Sequence, residues 1–208
     1  MNVALIPARA GSKRLPGKNK RIMCGLPLWQ WSYYCAVATG LFQHIWVSTD
    51  DEDIIEQARA LPSALVHRRP PAPDDQTTDE MIEEWDASCY GDVSRPKWTR
   101  LVLLQPTSPV RMPIDANRAA GRLDAADSAF SAWPEEGGYQ CDGSVYAVTR
   151  EAWERTKRLI TGKISVFHSA GVVNVDIDTQ ADWDAAERYL STNRPLWARP
   201  LPCERCGK

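Results

Sequence analysis

The sequence predicts an α/β layered fold whose central sheet is mainly parallel. Short, continuous apolar runs alternate along the chain with segments of helical periodicity. Continuous apolar runs are typical of strands that helices cover on both faces, and strand–helix alternation is typical of parallel pairing. The length of 208 residues is enough for one domain with a substantial core. We therefore expect a single domain over residues 1–190 and an irregular C-terminal tail over residues 191–208.

The first part of the chain contains predicted strands and helices in alternation. The predicted strands are Val3–Ile6, Ile45–Ser48, Leu101–Gln105 and Ser128–Ala132. The predicted helices, which carry apolar residues at helical spacing, are Leu28–Thr39, Asp51–Ala60, Asp79–Cys89 and Ile114–Leu123.

The remainder of the chain continues the pattern as far as residue 190. It holds the predicted strands Gly143–Thr149 and Val172–Val175 and the predicted helices Arg150–Arg158 and Gln180–Leu190. The segment from residue 191 to residue 208 contains three prolines and few periodic apolar residues. Proline-rich segments without periodicity are typical of irregular structure, so no further element is predicted there.

The charge distribution favours a small anionic ligand. The formal net charge is −2, yet no acidic residue occurs from Met1 to Thr49, while six basic residues cluster between Arg9 and Arg21. Nucleic-acid binding normally needs a broad basic face and a higher pI, so it is disfavoured. The sequence has neither an apolar run of membrane-span length nor a secretory signal, which predicts a cytoplasmic protein with no membrane partner. The six cysteines, including Cys203 and Cys206, are then expected to be thiols.

A basic loop with two glycines follows the first predicted strand. The glycines let backbone N–H groups approach an anion closely, because no Cβ stands in the way. Cations beside such N–H groups are typical of a phosphate cradle, although the Walker A spacing is absent. A solvated basic surface loop is the alternative; the position directly after a buried strand favours the cradle. The residues concerned are Arg9, Gly11, Lys13, Arg14, Gly17 and Lys18.

Polar clusters follow three of the predicted strands at the point where each strand ends. Besides the basic loop, they are Thr49-Asp50-Asp51 and Gln105-Pro-Thr-Ser108. Ligands of parallel α/β sheets bind outside the carboxyl ends of the strands. We therefore expect the three clusters to converge on one edge of the sheet and to form one site.

Asp176 and Asp178 alternate along an extended segment, so their carboxylates are expected on one face. Two hard oxygen ligands suit Mg²⁺, which completes its shell with phosphate and water. The alternative is that one aspartate caps the helix beginning near Thr179 and the other is solvated. The neighbouring phosphate cradle favours the magnesium interpretation.

Two further features leave their roles open. Arg68 and Arg69 precede a loop rich in proline, aspartate and threonine, Pro71–Thr78, which either reaches over a nucleotide or is an ordinary exposed turn. The three histidines show no metal-ligand spacing, and no motif indicates a covalent nucleophile.

The basic loop and several later motifs resemble, in the same order, the cytidylyltransferases that activate acidic ulosonic sugars. This is the acylneuraminate and pseudaminic acid cytidylyltransferase (CMP-sialic acid synthetase) family, and the Ser-Lys-Arg and Asp-Trp variants look most like its pseudaminic acid branch. The resemblance covers residues 1 to about 190. The matching motifs are Ile6-Pro-Ala-Arg-Ala-Gly-Ser-Lys-Arg-Leu-Pro-Gly-Lys-Asn19, Gly25-Leu-Pro-Leu28, Val47-Ser-Thr-Asp-Asp51, Arg69-Pro70 with Asp75, Leu103-Leu-Gln-Pro-Thr-Ser-Pro-Val-Arg111, Asp142-Gly-Ser-Val-Tyr146 and Asp176-Ile-Asp-Thr-Gln-Ala-Asp-Trp183.

The resemblance implies a Rossmann-like, three-layer fold and a reaction that joins CTP to the anomeric hydroxyl of an acidic sugar, releasing pyrophosphate. It implies that Mg²⁺ is held by Asp176 and Asp178, and that the sugar faces Gln105 and Thr107. The implied triphosphate contacts are Arg9, Lys13 and Lys18. The implied nucleotide-binding residues are Ala8, Ala10, Gly11, Ser12, Asn19, Thr78 and one of Arg68 and Arg69.

One departure from the family concerns the interval from Ser131 to Ser144, where the sialic acid enzymes carry a long insert that builds their dimer. Here the interval is short, with Trp133–Asp142 predicted as a loop, so we expect a monomer or a homodimer made through another surface. Asp142 also stands where the family carries asparagine. Two alternatives remain: a nucleotidyltransferase with a different acceptor, and a nucleotide-binding protein without catalysis.

Overall fold

The computed structural model describes residues 1–71, 73, 75–91, 97–170 and 175–198. Its strands are β1 (Asn2–Pro7), β2 (Ile22–Met23), β3 (Leu26–Pro27), β4 (His44–Thr49), β5 (Ala64–Arg68), β6 (Arg100–Leu104), β7 (Ser128–Glu135), β8 (Gly138–Thr149) and β9 (Ile164–His168). Its helices are α1 (Leu28–Thr39), α2 (Glu52–Arg59), α3 (Thr78–Tyr90), α4 (Pro113–Arg122), α5 (Arg150–Thr156) and α6 (Gln180–Thr192).

Seven strands form the central sheet in the order β5-β4-β1-β6-β8-β7-β9. The pairs β5–β4, β4–β1, β1–β6 and β7–β9 are parallel, whereas β8 is antiparallel to both of its neighbours. All strands except β8 therefore run in one direction, and the predicted, mainly parallel α/β sheet is confirmed. The small β2–β3 ribbon lies outside this sheet.

The core consists of two apolar clusters, one on each face of the sheet. In β1, Ala4 and Ile6 belong to one cluster, and Val3 and Leu5 belong to the other. Successive side chains of a strand point to opposite faces, so a central strand with helices on both sides is apolar throughout. The first cluster takes in α1, α4 and α6, and the second takes in α3 and α5. These two helical layers around one sheet are the predicted three layers.

Most predicted elements agree with the observed ones to within a few residues, and α1 agrees at both ends. The edge strands β5 and β9 and the β2–β3 ribbon were not predicted. Of the predicted strand Val172–Val175, residues 172–174 lie outside the described residues, and Val175 belongs to no strand. The described part of the chain includes no helix with the length and apolarity that crossing a membrane requires.

The interval after Ser131 is not the loop that the sequence predicted. It is a β-hairpin in which β7 and β8 pair as far as Glu135 and Gly138, around a turn at residues 136 and 137. Gly137 has φ 91°, a conformation that glycine adopts without strain. The expected absence of the family dimer remains a prediction.

The beginning of the predicted tail is ordered structure. Helix α6 continues two residues beyond the predicted end, and a 3₁₀ turn follows at Leu196–Ala198. Trp197 of this turn packs edge-on against Trp31 of α1, with ring centroids 6.3 Å apart. Residues 191 and 192 therefore belong to α6, and Cys203 and Cys206 lie outside the described residues.

Candidate active site

A cleft of about 520 Å³ opens where the strands of the parallel part of the sheet end. Residues that follow β1, β5 and β6 meet there with the beginning of α3 and the segment before α6. The location agrees with the rule that parallel sheets bind ligands at their carboxyl edge. The residues that line the cleft are Pro7, Arg9, Gly11, Ser12, Lys13, Arg14, Lys18, Asn19, Arg69, Gln76, Thr77, Thr78, Met81, Gln105, Pro106, Thr107 and Asp178.

The basic loop is held in place from behind by the end of β4. Thr49 Oγ1 donates to the carbonyl of Ala8 at 2.6 Å, and the N–H of Ala10 donates to Asp50 Oδ1 at 2.7 Å. Asp51 caps α2, since its Oδ1 accepts the N–H of Asp53 at 3.0 Å. The cluster after β4 thus reaches the predicted edge but supports the loop, and it does not line the cleft. Ala8 and Ala10 likewise lie outside the lining residues.

The described lining of the cleft is strongly positive. Five of its residues are cations, namely Arg9, Lys13, Arg14, Lys18 and Arg69, and one, Asp178, is an acid. The N-terminus of α3 adds the positive end of a helix dipole, with Thr77 as the N-cap and Thr78 as the first residue. Burial lowers the pKa of Lys18, and the nearby Asp178 and Asp176 oppose that effect. Such a cleft is suited to a polyanion.

Three buried polar atoms of the cleft residues have no hydrogen-bond partner within the described chain. They are Asn19 Oδ1, Arg69 Nε and Thr107 Oγ1. Buried polar atoms in native proteins are nearly always paired, so orphans that line a cleft indicate groups which a ligand satisfies. Asn19 is well fixed, because its Nδ2 donates to the carbonyl of Arg9 at 2.9 Å. Its free oxygen is therefore an oriented acceptor.

The structure distinguishes the two arginines that the sequence left open. Arg69 is 5% exposed, lines the cleft and donates through its guanidinium to Gln76 Oε1. Gln76 in turn donates to Glu84 of α3 at 3.1 Å. Arg68 is exposed and forms an ion pair with Glu52 of α2. Of these two arginines, only Arg69 lines the cleft.

The segment between Asp176 and Asp178 is fixed at its centre. Ile177 donates its N–H to the carbonyl of Thr107 at 2.8 Å, and its own carbonyl accepts from Lys18 Nζ. Asp178 points into the cleft, where it meets Arg14 at 2.6 Å and Lys18 at 3.6 Å. The acidic segment thus contacts both the basic loop and the loop after β6.

Asp176 lies beside β8 and is not among the cleft-lining residues. Gly143 in β8 has φ 71°, and a Cβ on it would be 3.2 Å from Asp176 Oδ2. Glycine therefore permits both the backbone conformation and the close approach of this carboxylate. The alternative that Asp176 or Asp178 caps α6 is wrong, because Thr179 is the N-cap and its side chain accepts the N–H of Asp182.

The carboxylates of Asp176 and Asp178 fit a magnesium ion whose other ligands are phosphate oxygens and water. Mg²⁺ takes one or two carboxylates and fills the rest of its shell with phosphate oxygens and water. The described residues include no cluster of three histidine, cysteine, aspartate or glutamate side chains that could hold a metal alone. Asp178 and Asp176, next to the basic loop, are carboxylates of the required kind.

Sequence reasoning missed several residues of the cleft. The sequence identifies Arg14 only as part of the basic loop, leaves open the role of the loop that contains Gln76 and Thr77, and gives Met81 no role; all four residues line the cleft. Thr77 followed three residues later by Glu80 is a capping-box pattern, and this pattern predicts a helix that begins at Thr78. The contact of Gln76 with Arg69 is a tertiary arrangement that no local pattern indicates.

The comparisons with known proteins agree with this geometry. Residues 3–113, more than half of the chain, match the model of the family described as "Cytidylyltransferase". The chain belongs to the cytidylyltransferase family. The matched region of the chain includes the basic loop, Arg69 and the loop after β6, and the family resemblance predicted from the motifs is confirmed.

Two relatives and one solved structure illustrate the similarity. The chain is 30% identical to the N-acylneuraminate cytidylyltransferase of Oncorhynchus mykiss over 98% of this chain and 55% of that protein. It is 28% identical to the CMP-N,N'-diacetyllegionaminic acid synthase of Legionella pneumophila over 92% of this chain and 97% of that protein. The chain thus spans about half the length of the first relative and nearly all of the second.

The solved structure is that of a CMP:2-keto-3-deoxy-manno-octonic acid synthetase complexed with CTP. The match has a TM-score of 0.72 and covers 92% of this chain and 99% of that chain, at 19% identity. This likeness confirms the Rossmann-like fold of the chain.

Proposed function

We propose that this protein transfers the cytidylyl group of CTP to the anomeric hydroxyl of an acidic ulosonic sugar and releases pyrophosphate. The observation that carries the proposal is the composition of the cleft. Five cations, most of them from the basic loop that resembles the family, line it together with the N-terminus of α3 and the carboxylate of Asp178. The names of the two curated relatives, an N-acylneuraminate cytidylyltransferase and a CMP-N,N'-diacetyllegionaminic acid synthase, support an acidic sugar as the acceptor.

The basic loop would bind the triphosphate. Arg9, Lys13 and Lys18 supply positive charge, and the backbone around Gly11 and Ser12 adds N–H donors. Arg14 is a further candidate because it already contacts Asp178 across the cleft at 2.6 Å. These cations offset the charge that accumulates on pyrophosphate as it leaves, which is where fixed charges contribute most to a phosphoryl transfer.

The cytidine would be read by the wall of the cleft that holds Asn19, Arg69 and Thr78. Asn19 Oδ1 is an unpaired acceptor and Arg69 Nε is an unpaired donor. Cytosine carries an amino donor beside ring and carbonyl acceptors, so it can satisfy both atoms. Burial lowers the pKa of Arg69, while Glu84 and Asp50 oppose that effect and favour its charged form.

The acceptor sugar would lie against the loop after β6, where Gln105 and Thr107 line the cleft. Asp176 and Asp178 would hold Mg²⁺ on the adjoining side; the ion, when bound, neutralises phosphate charge and makes the attacking hydroxyl more acidic. The hydroxyl oxygen bonds to the α-phosphorus, the bond between that phosphorus and the pyrophosphate oxygen breaks, and the hydroxyl proton goes to solvent. The described lining holds no histidine or cysteine that would serve as a covalent nucleophile.

Two alternatives share the same cleft. A nucleotidyltransferase with another acceptor would keep the nucleotide wall and differ only near Gln105 and Thr107. A nucleotide-binding protein without catalysis has no use for a carboxylate that points into a positive cleft, so the placement of Asp178 disfavours it.

The nucleotide assignment predicts selective binding of CTP. In calorimetric titrations with the four ribonucleoside triphosphates, we expect CTP to bind at least about tenfold more tightly than ATP or GTP, because the orphaned donor and acceptor must both be satisfied. Arg69→Ala should remove most of this preference, whereas Arg68→Ala, a change of the neighbouring exposed arginine, should keep it. Tighter binding of a purine nucleotide would contradict the assignment.

A further inference from the structure

Arg111 is a buried cation near the end of the loop that connects β6 to α4. Its side chain is 4% exposed, and its guanidinium donates to Ser32 Oγ of α1 at 2.8 Å and to Ser144 Oγ of β8 at 3.4 Å. The third bond goes to the carbonyl of Gln105. Ser32 Oγ lies 3.3 Å from the same carbonyl as a second donor. The backbone of Gln105 is therefore tied to two other elements through one side chain.

The charge of Arg111 is costly to bury. Burial lowers its pKa, and Cys35, Asp142 and Asp115 oppose this effect. Asp142 is itself engaged, because it accepts from Ser131 Oγ at 2.5 Å and from the N–H of Ser144 at 2.8 Å. An apolar side chain at a comparable site often gives equal or greater stability, so a buried ion is weak evidence of a stabilising role. Its hydrogen bonds to the loop are the informative feature.

The loop that Arg111 holds connects two parts of the cleft. Gln105 and Thr107 line the cleft, and the carbonyl of Thr107 accepts the N–H of Ile177 at 2.8 Å. Ile177 lies between the two carboxylates proposed for Mg²⁺. A shift of the loop would therefore displace the acceptor wall and the acidic segment together.

We propose that Arg111 is a positioning residue that sets the acceptor half of the cleft through the carbonyl of Gln105. The inference rests on the proposed function for the identity of the acceptor. It assigns a role to a residue that does not line the cleft. A planar guanidinium with several donors in a fixed fork can bridge Ser32, Gln105 and Ser144 at once, and a lysine ammonium cannot reproduce that geometry.

The test compares Arg111→Lys with Arg150→Lys. Arg150 is a suitable control because it is also largely buried, pairs with Asp86 at 2.5 Å and stacks on Trp98, but lies in α5 away from the cleft. Both variants should lower the melting temperature. Arg111→Lys should in addition raise KM for the acceptor sugar by about tenfold or more, while Kd for CTP changes less than about twofold. Arg150→Lys should leave both constants unchanged.

Amide hydrogen exchange supplies a readout that needs no acceptor. In Arg111→Lys, the amide of Ile177 should exchange faster than in the wild type, because its bond to Thr107 is loosened, whereas Arg150→Lys should leave it protected. If Arg111→Lys does not fold, Ser32→Ala, which removes one acceptor of Arg111 and one donor to Gln105, should show a smaller change in the same direction.

The inference is overturned if the Ile177 amide stays as protected in Arg111→Lys as in Arg150→Lys, or if the two variants have equal acceptor KM values. Failure of the proposed function looks different. In that case the wild type releases no pyrophosphate with any acidic sugar, while the exchange experiment still decides the role of Arg111.

Discussion

Asp178→Asn is expected to lower the rate of CMP-sugar formation by at least about 10³-fold at saturating substrates. The amide keeps the size of the side chain but removes the negative charge that faces Arg14, Lys18 and the proposed position of Mg²⁺. The fold should persist, since Asp178 is half exposed and exposed ion pairs contribute little to the free energy of unfolding.

The matched control is Asp184→Asn, the same change at an exposed aspartate of α6. Asp184 accepts a hydrogen bond from Gln180 and lies outside the cleft lining. It should retain wild-type turnover. Binding of Mn²⁺ in the presence of CTP, followed by electron paramagnetic resonance, gives a direct readout of the metal site and should weaken in Asp178→Asn only. Normal metal-dependent activity in Asp178→Asn would show that the metal assignment is wrong.

Lys13→Ala is expected to lower kcat by about 10²-fold, with a smaller rise of KM for CTP. Lys13 lines the cleft in the basic loop, and under the proposed function its charge would stabilise pyrophosphate as the bond to the α-phosphorus breaks. An interaction that strengthens in the transition state changes kcat more than it changes ground-state binding. Steady-state kinetics over a range of CTP concentrations measures the two effects separately.

Lys20→Ala is the control for that experiment. Lys20 ends the same loop but does not line the cleft. It pairs instead with Asp53 at 2.8 Å and with Asp51 at 3.3 Å. Its removal should leave kcat unchanged, because an exposed pair outside the site does not act on the reacting groups. If Lys13→Ala left kcat unaltered, or if Lys20→Ala lowered it equally, the role given to Lys13 would be excluded.

Most of the fold could be predicted from local pattern because the central strands are apolar throughout. Helix α1 was predicted at both ends, since Pro27 precedes it and Gly40, with φ 62°, ends it. The edge strands were harder. β5 and β9 are covered less completely, and polar residues such as Arg68 and Ser165 shorten or interrupt their apolar runs. Their pairing depends on neighbouring strands that the local sequence does not identify.

Some residues of the site could likewise be predicted from the sequence, and others could not. The basic loop and Asp178 could be predicted because their charges and glycines are contiguous in sequence. Asp176 was predicted together with Asp178, yet it lies against Gly143 of β8 and outside the cleft lining. Arg111 lay within a recognised motif, but its partner Ser32 is 79 residues away. Contacts at that separation depend on the packing of α1 against the sheet, which composition and periodicity do not reveal.

The central claim is nucleotidyl transfer from CTP to an acidic sugar. Its most direct test is pyrophosphate release from CTP in the presence of Mg²⁺, measured across a panel of sialic, legionaminic and pseudaminic acids, with a neutral sugar and an acceptor-free reaction as controls. We expect release with at least one acidic sugar, equal in amount to the CMP-sugar formed, and none in the controls. Tight binding of CTP without release for any acidic sugar, or release with the neutral sugar alone, would contradict the claim.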